Sequence, residues 1–216
     1  SSLAMDKVAS RNIFKKNKIR VPKYLLLQKG QKENITKKIK IKKIKFPIVI
    51  KPVNEGSSLG VYICNNKMQF NRNIKKLERE YDKILIEEYI PGKEIQVAVM
   101  GDKALGAIEL VPRRKFYDYT AKYSSKAKTK HIMPAEISKK KYNEALFLAK
   151  KAHKSLGCKG ITRSDFRFNK NRFYLLEINT QPGMTKLSLV PEIAKYRGIS
   201  FEDLVVWIVK NASKNR

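Results

Sequence analysis

Apolar residues recur along the chain about every 3.6 residues in some segments and every two residues in others, which predicts a mixture of helices and strands. Polar residues such as Asp6, Ser138 and Ser200 stand directly before helical patterns and can cap them. The predicted helices cover residues 7–16, 34–43, 71–81, 139–156 and a C-terminal stretch after residue 200. The predicted strands cover residues 24–27, 46–51, 61–64, 84–90, 94–100, 104–110, 161–168 and 173–179.

The apolar faces of these helices identify the residues that should face the core. In the basic helix at 34–43, Ile35 and Ile39 are expected to face inward, with Ile41 as a further candidate. The C-terminal helix should bury three residues, Leu204, Trp207 and Ile208. These stripes indicate core packing, not functional sites.

The segment from residue 161 to 185 carries the densest set of polar side chains that could act together. Because side chains alternate between the faces of a strand, Arg163 shares a face with Asp165, and Glu177 shares one with Asn179. The two faces coincide in an antiparallel hairpin if Asp165 lies opposite Glu177. That pairing needs either an odd number of loop residues or a β-bulge.

Such a hairpin would gather two carboxylates, an amide oxygen and a guanidinium on one patch. Carboxylate and amide oxygens suit Mg²⁺ or Mn²⁺, and a fixed guanidinium suits a phosphoryl group. The plainer alternative is a surface hairpin with ordinary salt bridges. The complete set, followed by a Pro-Gly pair at 182–183, favours a metal and phosphate site.

The segment Glu55-Gly-Ser-Ser-Leu-Gly60 forms a loop between two predicted strands. Glycine has no Cβ to block the approach of a phosphate to backbone N–H groups. Lys51, just before the loop, can add a positive charge to the same anion. The spacing differs from that of a P-loop, and a plain hairpin turn is the alternative.

Glu87 and Glu88 end an apolar strand just before a Pro-Gly break, and Glu94 follows it. A carboxylate there can accept a hydrogen bond from the exocyclic amine of a purine, backbone groups can meet the ring edge, and Glu94 can accept ribose hydroxyls. A solvated strand end is the alternative.

The long aperiodic segment 111–138 holds aromatic and basic residues, which is typical of a lid over a nucleotide. A flexible linker is the other interpretation.

Composition narrows the classes of function. With 216 residues and 42% apolar residues, the chain can form a globular core. The sequence shows no signal peptide or membrane span, and its two cysteines are too few for a disulfide framework, so a cytoplasmic location is expected. The net charge of +29 comes from lysines spread over nearly every segment. It predicts non-specific attraction of polyanions, not a dedicated nucleic-acid site, which would cluster its lysines with exposed aromatics.

Several motifs together resemble the D-alanine–D-alanine ligases of the ATP-grasp superfamily. They are Lys51-Pro, Glu55-Gly-Ser-Ser-Leu-Gly60, Phe116-Tyr-Asp-Tyr with Lys122-Tyr123, Leu156-Gly-Cys-Lys-Gly, Arg163-x-Asp165, Glu177-Ile-Asn179, Pro182-Gly-Met-Thr and Ser188-Leu-Val-Pro191. The resemblance runs from about Met5 to the C-terminus. It implies an α+β fold in which two lobes with antiparallel sheets grip ATP, a small lobe at 8–92 and a large lobe at 93–216, with residues 1–7 as an interdomain remnant and a lid near 111–138.

The resemblance also implies roles for individual residues. The nucleotide would be held by Lys7, Lys51, Glu55, Gly56, Ser57, Ser58, Glu87, Glu88, Tyr89, Ile90, Glu94, Phe116 and Lys122. Two Mg²⁺ or Mn²⁺ ions would be held by Asp165, Glu177 and Asn179. Arg163, Ser57, Tyr123 and Gly183 would serve catalysis, and Ser188, Leu189, Tyr123 and Arg163 would contact substrate.

The implied reaction joins two D-alanines through an acyl phosphate for peptidoglycan synthesis, with positioning and charge doing the catalysis. In this family, a tyrosine at the position of Tyr123 is associated with a dipeptide product. A homodimer is a candidate assembly.

The family also has an N-terminal domain of about 90 residues that binds the first D-alanine and orders the lid through Ser57 and Tyr123. The sequence lacks it, so we expect a chain that binds ATP and metal but has only half a substrate site. Another carboxylate–amine ligase of the superfamily, a basic nucleic-acid-binding module on the same scaffold and a non-catalytic remnant are the alternatives.

Overall fold

The computed structural model of the chain describes residues 2–30, 35–56, 58–112, 129–185 and 188–212. Its strands form two antiparallel sheets. The smaller sheet contains β1 (Tyr24–Gln28), β2 (Ile48–Pro52), β3 (Tyr62–Cys64) and β4 (Lys83–Glu88), in the spatial order β1-β4-β2-β3. The larger sheet contains β5 (Lys93–Met100), β6 (Lys103–Val111), β7 (Lys130–Ile132), β8 (Ile161–Asn169) and β9 (Arg172–Asn179), in the order β7-β6-β5-β8-β9.

Helices cover both sheets. They are α1 (Ser2–Met5), α2 (Lys7–Lys16), α3 (Ile35–Ile41), α4 (Lys67–Glu80), α5 (Lys139–Ser155), α6 (Leu189–Tyr196) and α7 (Phe201–Lys210). Three predicted caps are confirmed. Asp6 accepts hydrogen bonds from the N–H groups of Val8 and Ala9, and the hydroxyls of Ser138 and Ser200 each accept one from the third residue of the helix that follows.

The small sheet packs one face against α3 and α4. Ile48, Ile50, Ile84 and Ile86 point toward these helices and are essentially inaccessible to solvent. Since side chains alternate, Val49, Lys51 and Glu87 of the same strands point to the other face, which faces the large sheet. Alternation thus directs charged residues into the space between the two sheets.

The large sheet is covered on both faces. One face packs against α5 and α2 through residues such as Val97 and Phe166, and Phe14 of α2 lies in this core. The other face packs against α6 and α7 through residues such as Ile108 and Leu110 and is open beyond them. Helix α2 therefore contributes Phe14 to the core of the large sheet.

The predicted hairpin forms with the required register. Asp165 lies directly opposite Glu177, and Arg163 lies opposite Asn179. The turn has two residues, Lys170 and Asn171, both with positive φ, as in the turns that suit hairpins. Because the turn has an even number of residues, the register requires a β-bulge, and the register does shift between Asp165 and Phe166. Of the two arrangements that the sequence allowed, an odd loop or a bulge, the chain has the bulge.

Other elements differ from the sequence prediction. Helix α4 begins four residues early, capped by Asn66, and α6 was not predicted. Strand β7 lies inside the segment 111–138, which was predicted as loop. Ile41 is 68% exposed, so the inward placement of this residue was wrong, whereas Ile35 and Ile39 pack against the core.

The C-terminal helix packs largely as predicted. Leu204 is buried, and Trp207 and Ile208 pack against the same cluster in a partly buried position.

Among the described residues, none of the helices has both the length and the apolar character that crossing a membrane requires.

Candidate nucleotide-binding site

A cleft of about 460 Å³ lies between the exposed faces of the two sheets. Twelve of the residues predicted for the site line it: Lys7, Lys51, Glu55, Gly56, Ser58, Glu87, Glu88, Tyr89, Ile90, Glu94, Asp165 and Glu177. Apolar residues from both sheets, including Val49, Leu110 and Leu176, complete the walls. A cleft with apolar walls and a few convergent charged groups has the general character of a small-molecule site.

Glu87 and Lys51, which line the cleft, form an ion-paired triad with Arg11 behind them. The carboxylate of Glu87 on β4 lies 2.5 Å from Arg11 NH2 and 2.8 Å from Lys51 Nζ. Arg11 is fully buried, and the other two residues are nearly so. Arg11 also donates a hydrogen bond to the carbonyl oxygen of Leu176 on β9 at 3.3 Å, so its guanidinium connects the two sheets.

Burial changes the protonation of this triad. Burial would raise the pKa of Glu87, but Arg11 and Lys51 outweigh it and hold that pKa below its ordinary value. Burial lowers the pKa of Lys51; the attraction of Glu87 opposes this shift, and repulsion by Arg11 adds to it. A phosphate bound beside Lys51 would favour the protonated form of this side chain.

Lys7 supplies a second cation at the same end of the cleft. Its Nζ donates to the carbonyl oxygen of Val53 at 3.4 Å and also to that of Glu55. It lies 3.6 Å from Glu177 Oε2 on the large sheet. Lys7 thus joins the start of the Gly/Ser loop to one of the predicted metal ligands.

The Gly/Ser loop is closed by a glycine that no other residue could replace easily. Gly60 has a φ of +66°, and a Cβ there would lie 2.9 Å from the ring of Pro52. At Gly56, by contrast, a Cβ would meet only open space. The loop is therefore held at its far end, and at Gly56 it leaves room for a ligand beside the cleft.

The connector between the two sheets forms one edge of the cleft. Glu88 accepts a hydrogen bond from the N–H of Lys23 at 2.9 Å, and Tyr89 N donates to the carbonyl oxygen of Pro47 at 3.3 Å. Glu94, the predicted ribose ligand, accepts from Gln96 Nε2 and from Arg167 NH1, both at 3.3 Å. The predicted base and ribose groups therefore lie together along one edge.

Arg163 and Asp165 form a bidentate ion pair. Arg163 Nε lies 2.8 Å from Oδ1 of Asp165, and NH2 lies 3.0 Å from Oδ2. Asn179, opposite Arg163, accepts a hydrogen bond from the N–H of Gln181 at 2.9 Å through its amide oxygen. The four predicted side chains thus share one face of the hairpin.

The donor set of the hairpin fits a hard divalent cation. Asp165 and Glu177 face each other across β8 and β9, and the amide oxygen of Asn179 is close along the same strand. Within the described ranges, no three His, Cys, Asp or Glu side chains gather as a metal site, so the third protein ligand would be the amide. In this structure, Arg163 binds Asp165 and Lys7 lies near Glu177, which gives both carboxylates positive neighbours.

Gly183 and Ser188 are in direct contact beyond the cleft. A Cβ at Gly183 would lie 2.8 Å from Ser188 Oγ, which requires a glycine for this approach. Ser188 Oγ accepts from the N–H of Thr185 at 3.0 Å and stands at the N-terminus of α6. Leu189, by contrast, is the first residue of α6 and is buried in the core that α6 forms with the large sheet. Arg163, Asn179, Gly183, Ser188 and Leu189 do not line the cleft itself.

Four predicted site residues, Ser57, Phe116, Lys122 and Tyr123, lie outside the described residues. Arg11, Gln96 and Arg167 were not predicted as site residues. Arg167 has a signal in the sequence, because it continues the alternation of Arg163 and Asp165 on the same face of β8. Arg11 has no comparable signal, since its partner Glu87 is distant in the sequence.

The sequence matches the family model described as D-ala D-ala ligase C-terminus over residues 13–210. The chain belongs to this ligase family. It is 61% identical to the D-alanine–D-alanine ligase of Pelagibacter ubique over the whole chain and 70% of that protein. It is 44% identical to the ligase of Wolbachia pipientis wMel, again over the whole chain and 68% of that relative.

A solved structure of a family member has the same fold. The D-alanine–D-alanine ligase of Bacillus anthracis, complexed with ATP, superposes with a TM-score of 0.82 at 26% identity. The alignment covers 96% of this chain and 65% of that one. The expected α+β ATP-grasp architecture, with two antiparallel sheets facing each other, is confirmed.

Proposed function

We propose that the chain uses ATP to join two molecules of D-alanine into D-alanyl-D-alanine, a precursor of peptidoglycan. The observation that carries this proposal is the cleft in which Lys51 and Lys7 stand opposite the paired carboxylates Asp165 and Glu177. Cations on one wall and carboxylates on the other suit a polyphosphate bound with metal ions. Because the chain belongs to the D-alanine–D-alanine ligase family, we infer that D-alanine is the substrate.

ATP lies along the cleft in this proposal. The connector at Tyr89 and Ile90 meets the base, and Glu94 accepts hydrogen bonds from the ribose. Lys51 and Lys7 bind the phosphates, with the Gly/Ser loop beside them. The residues Asp165, Glu177 and Asn179 would hold Mg²⁺ or Mn²⁺, which neutralises phosphate charge when bound.

The reaction has two steps, and neither requires a nucleophile from the protein. A carboxylate oxygen of the first D-alanine attacks the γ-phosphorus, and the bond from that phosphorus to the bridging oxygen of ADP breaks. The amine of the second D-alanine then attacks the acyl carbon, loses a proton, and displaces inorganic phosphate. Arg163 and the backbone N–H of Gly183 stabilise the negative charge, and Ser188 binds the carboxylate of the second D-alanine.

The remaining expectations belong to the same proposal. The two cysteines, Cys64 and Cys158, are unpaired, which supports a reducing compartment such as the cytoplasm. A homodimer, the role of Tyr123 in favouring an amide product and the assignment of Ser57, Phe116 and Lys122 stay predictions.

Thermal unfolding tests the nucleotide site. At one hundred times its dissociation constant, Mg-ATP should stabilise the folded chain by about 2.7 kcal/mol, which raises the melting temperature by a few degrees. Glu177→Ala should abolish the magnesium-dependent part of the shift. Glu202→Ala, which removes an exposed carboxylate outside the cleft, should keep it. An unshifted melting temperature for the wild-type chain contradicts the proposed site.

Phosphate release tests the substrate, and its rate tests the expectation from the sequence that the chain has only half a substrate site, since appreciable synthesis of D-alanyl-D-alanine would refute that expectation. The release that occurs should depend on D-alanine, and L-alanine should not replace it. Release that proceeds equally well with L-amino acids would assign the chain to a different carboxylate–amine specificity within the same fold.

A further inference from the structure

Arg167 makes three hydrogen bonds to the segment that joins the two sheets. Its Nε donates to the carbonyl oxygen of Ile90 at 3.0 Å, and its NH2 donates to that of Gly92 at 2.7 Å. Its NH1 donates to Oε2 of Glu94 at 3.3 Å. One guanidinium therefore holds two backbone carbonyls and one carboxylate within a span of five residues.

The backbone packs tightly at the same point. Gly92 has a φ of +103°, and a Cβ there would lie 2.2 Å from the carbonyl oxygen of Phe168 on β8. The connector thus rests directly on β8, one residue beyond Arg167. The guanidinium is largely shielded from solvent, with a side-chain exposure of 17%, which strengthens its charged hydrogen bonds.

We propose that Arg167 is a positioning residue that presets the base-and-ribose edge of the nucleotide site. The planar guanidinium has a fixed fork of donors, so it can hold three acceptors in one geometry at a low cost in conformational entropy. Gln96 adds a donor to the second oxygen of Glu94, at 3.3 Å, and so fixes the carboxylate from the other side. The phosphate cations Lys51 and Lys7 make none of these contacts.

Because Arg167 contacts only the base-and-ribose edge of the cleft in this proposal, its loss should affect one part of ATP binding and not the other. Loss of Arg167 frees the connector, so the binding of adenosine and ribose should weaken. The phosphate end of the cleft, held by Lys7, Glu87 and Arg11, should be unaffected. The inference deepens the proposed function, because it rests on ATP being the ligand of this cleft.

The test compares two ligands of Mg²⁺-loaded protein by titration calorimetry at fixed ionic strength: ATP, and inorganic tripolyphosphate, which has no base or ribose. Arg167→Met should weaken ATP binding about tenfold or more, the scale of one charged hydrogen bond, and should leave tripolyphosphate affinity unchanged. Arg172→Met is the matched control. It removes the same charge from an exposed site on the same hairpin, and both ligands should bind it as they bind the wild-type chain.

Arg167→Lys keeps the charge and provides a second variant if the methionine variant does not fold. A single ammonium cannot replace the three-way fork, so ATP should again bind more weakly while tripolyphosphate does not. Equal ATP affinity in the wild-type and Arg167 variants, or equal losses for both ligands, overturns the role of Arg167. A wild-type chain that binds neither ligand overturns the proposed nucleotide site itself.

Discussion

Arg163 binds both carboxylate oxygens of Asp165, at 2.8 and 3.0 Å, on the face of the hairpin that the cleft approaches. The pair joins the proposed oxyanion-stabilising residue to a proposed metal ligand. Each group therefore holds the other in place, and the bulge after Asp165 keeps this carboxylate opposite Glu177.

Arg163→Lys should distinguish the role of Arg163 in stabilising the oxyanion from a role in nucleotide binding. Lysine keeps the charge but cannot form the bidentate pair, so D-alanine-dependent phosphate release should fall by about a hundredfold or more, the scale of losing an oxyanion donor. Mg-ATP affinity should change little, because Asp165 stays available to the metal. Initial rates and calorimetric binding measure the two effects. Equal losses in rate and in affinity would show that Arg163 acts in nucleotide binding instead.

Removal of the charge on Glu87 should destabilise the whole chain. Glu87→Gln leaves Arg11 and Lys51 buried without the carboxylate that pairs with both, and breaking a buried ion pair in this way costs about 3–5 kcal/mol. Urea unfolding at neutral pH measures the loss.

Glu88→Gln is the control for that experiment, since Glu88 is adjacent in sequence but its carboxylate accepts a hydrogen bond from Lys23 N–H in a more exposed position. Its loss should stay below about 1 kcal/mol. Similar losses in the two variants would rule out the buried triad as the origin.

Nucleotide affinity should fall at alkaline pH because of Lys51. Burial lowers the pKa of its ammonium from the ordinary value of 10.5, whereas a bound phosphate favours the protonated form. As the pH rises through the lowered pKa of the free chain, binding must take up a proton, and the affinity for ATP decreases.

Lys51→Arg should remove this dependence, because arginine stays protonated throughout that range. Calorimetric titrations from pH 7 to 10 compare the two proteins, with tripolyphosphate as a ligand that reports on the phosphate end alone. A wild-type affinity that stays constant over the whole range would contradict the effect of burial on Lys51.

His153 should make the fold sensitive to acid. His153 is a buried residue of α5, its Nδ1 lies 2.8 Å from Thr162 Oγ1 on β8, and burial lowers the pKa of the ring below the ordinary value of 6.5. The unfolded chain therefore binds a proton near pH 6.5 that the folded chain does not. Stability contributed by the neutral ring is present above that pH and is lost as the pH falls below it.

His153→Gln keeps a polar partner for Thr162 but does not titrate. Its free energy of unfolding, measured in urea at pH 7.5 and at pH 5, should change less with pH than that of the wild-type chain. An identical pH dependence in the two proteins would assign the acid sensitivity to other groups.

The hairpin shows how far sequence patterns reach. Alternation predicted that Arg163 shares a face with Asp165 and that Glu177 shares one with Asn179, and the two faces coincide because Asp165 lies opposite Glu177, which was the stated condition. The choice between an odd loop and a bulge was not predictable. It depends on how Lys170 and Asn171 adopt positive φ in a two-residue turn.

Elements without a clear period were missed. Helix α6 contains Pro191, which the pattern indicates as a break, yet proline is tolerated in the first turn of a helix. Strand β7 has three residues, too few for an alternation to stand out. The partners of Arg11 were not predictable from sequence, since a long-range ion pair leaves no local pattern.

The position of helix α2 limits how the two sheets can move. Its Phe14 is part of the core of the large sheet, while its Arg11 pairs with Glu87 of the small sheet in a fully buried position. Separation of the two sheets at Arg11 would expose this charge pair to solvent, which is unfavourable. The sheets should therefore stay together at this end, and the cleft should open at the opposite end. The nucleotide therefore meets a binding surface whose inner end is already assembled.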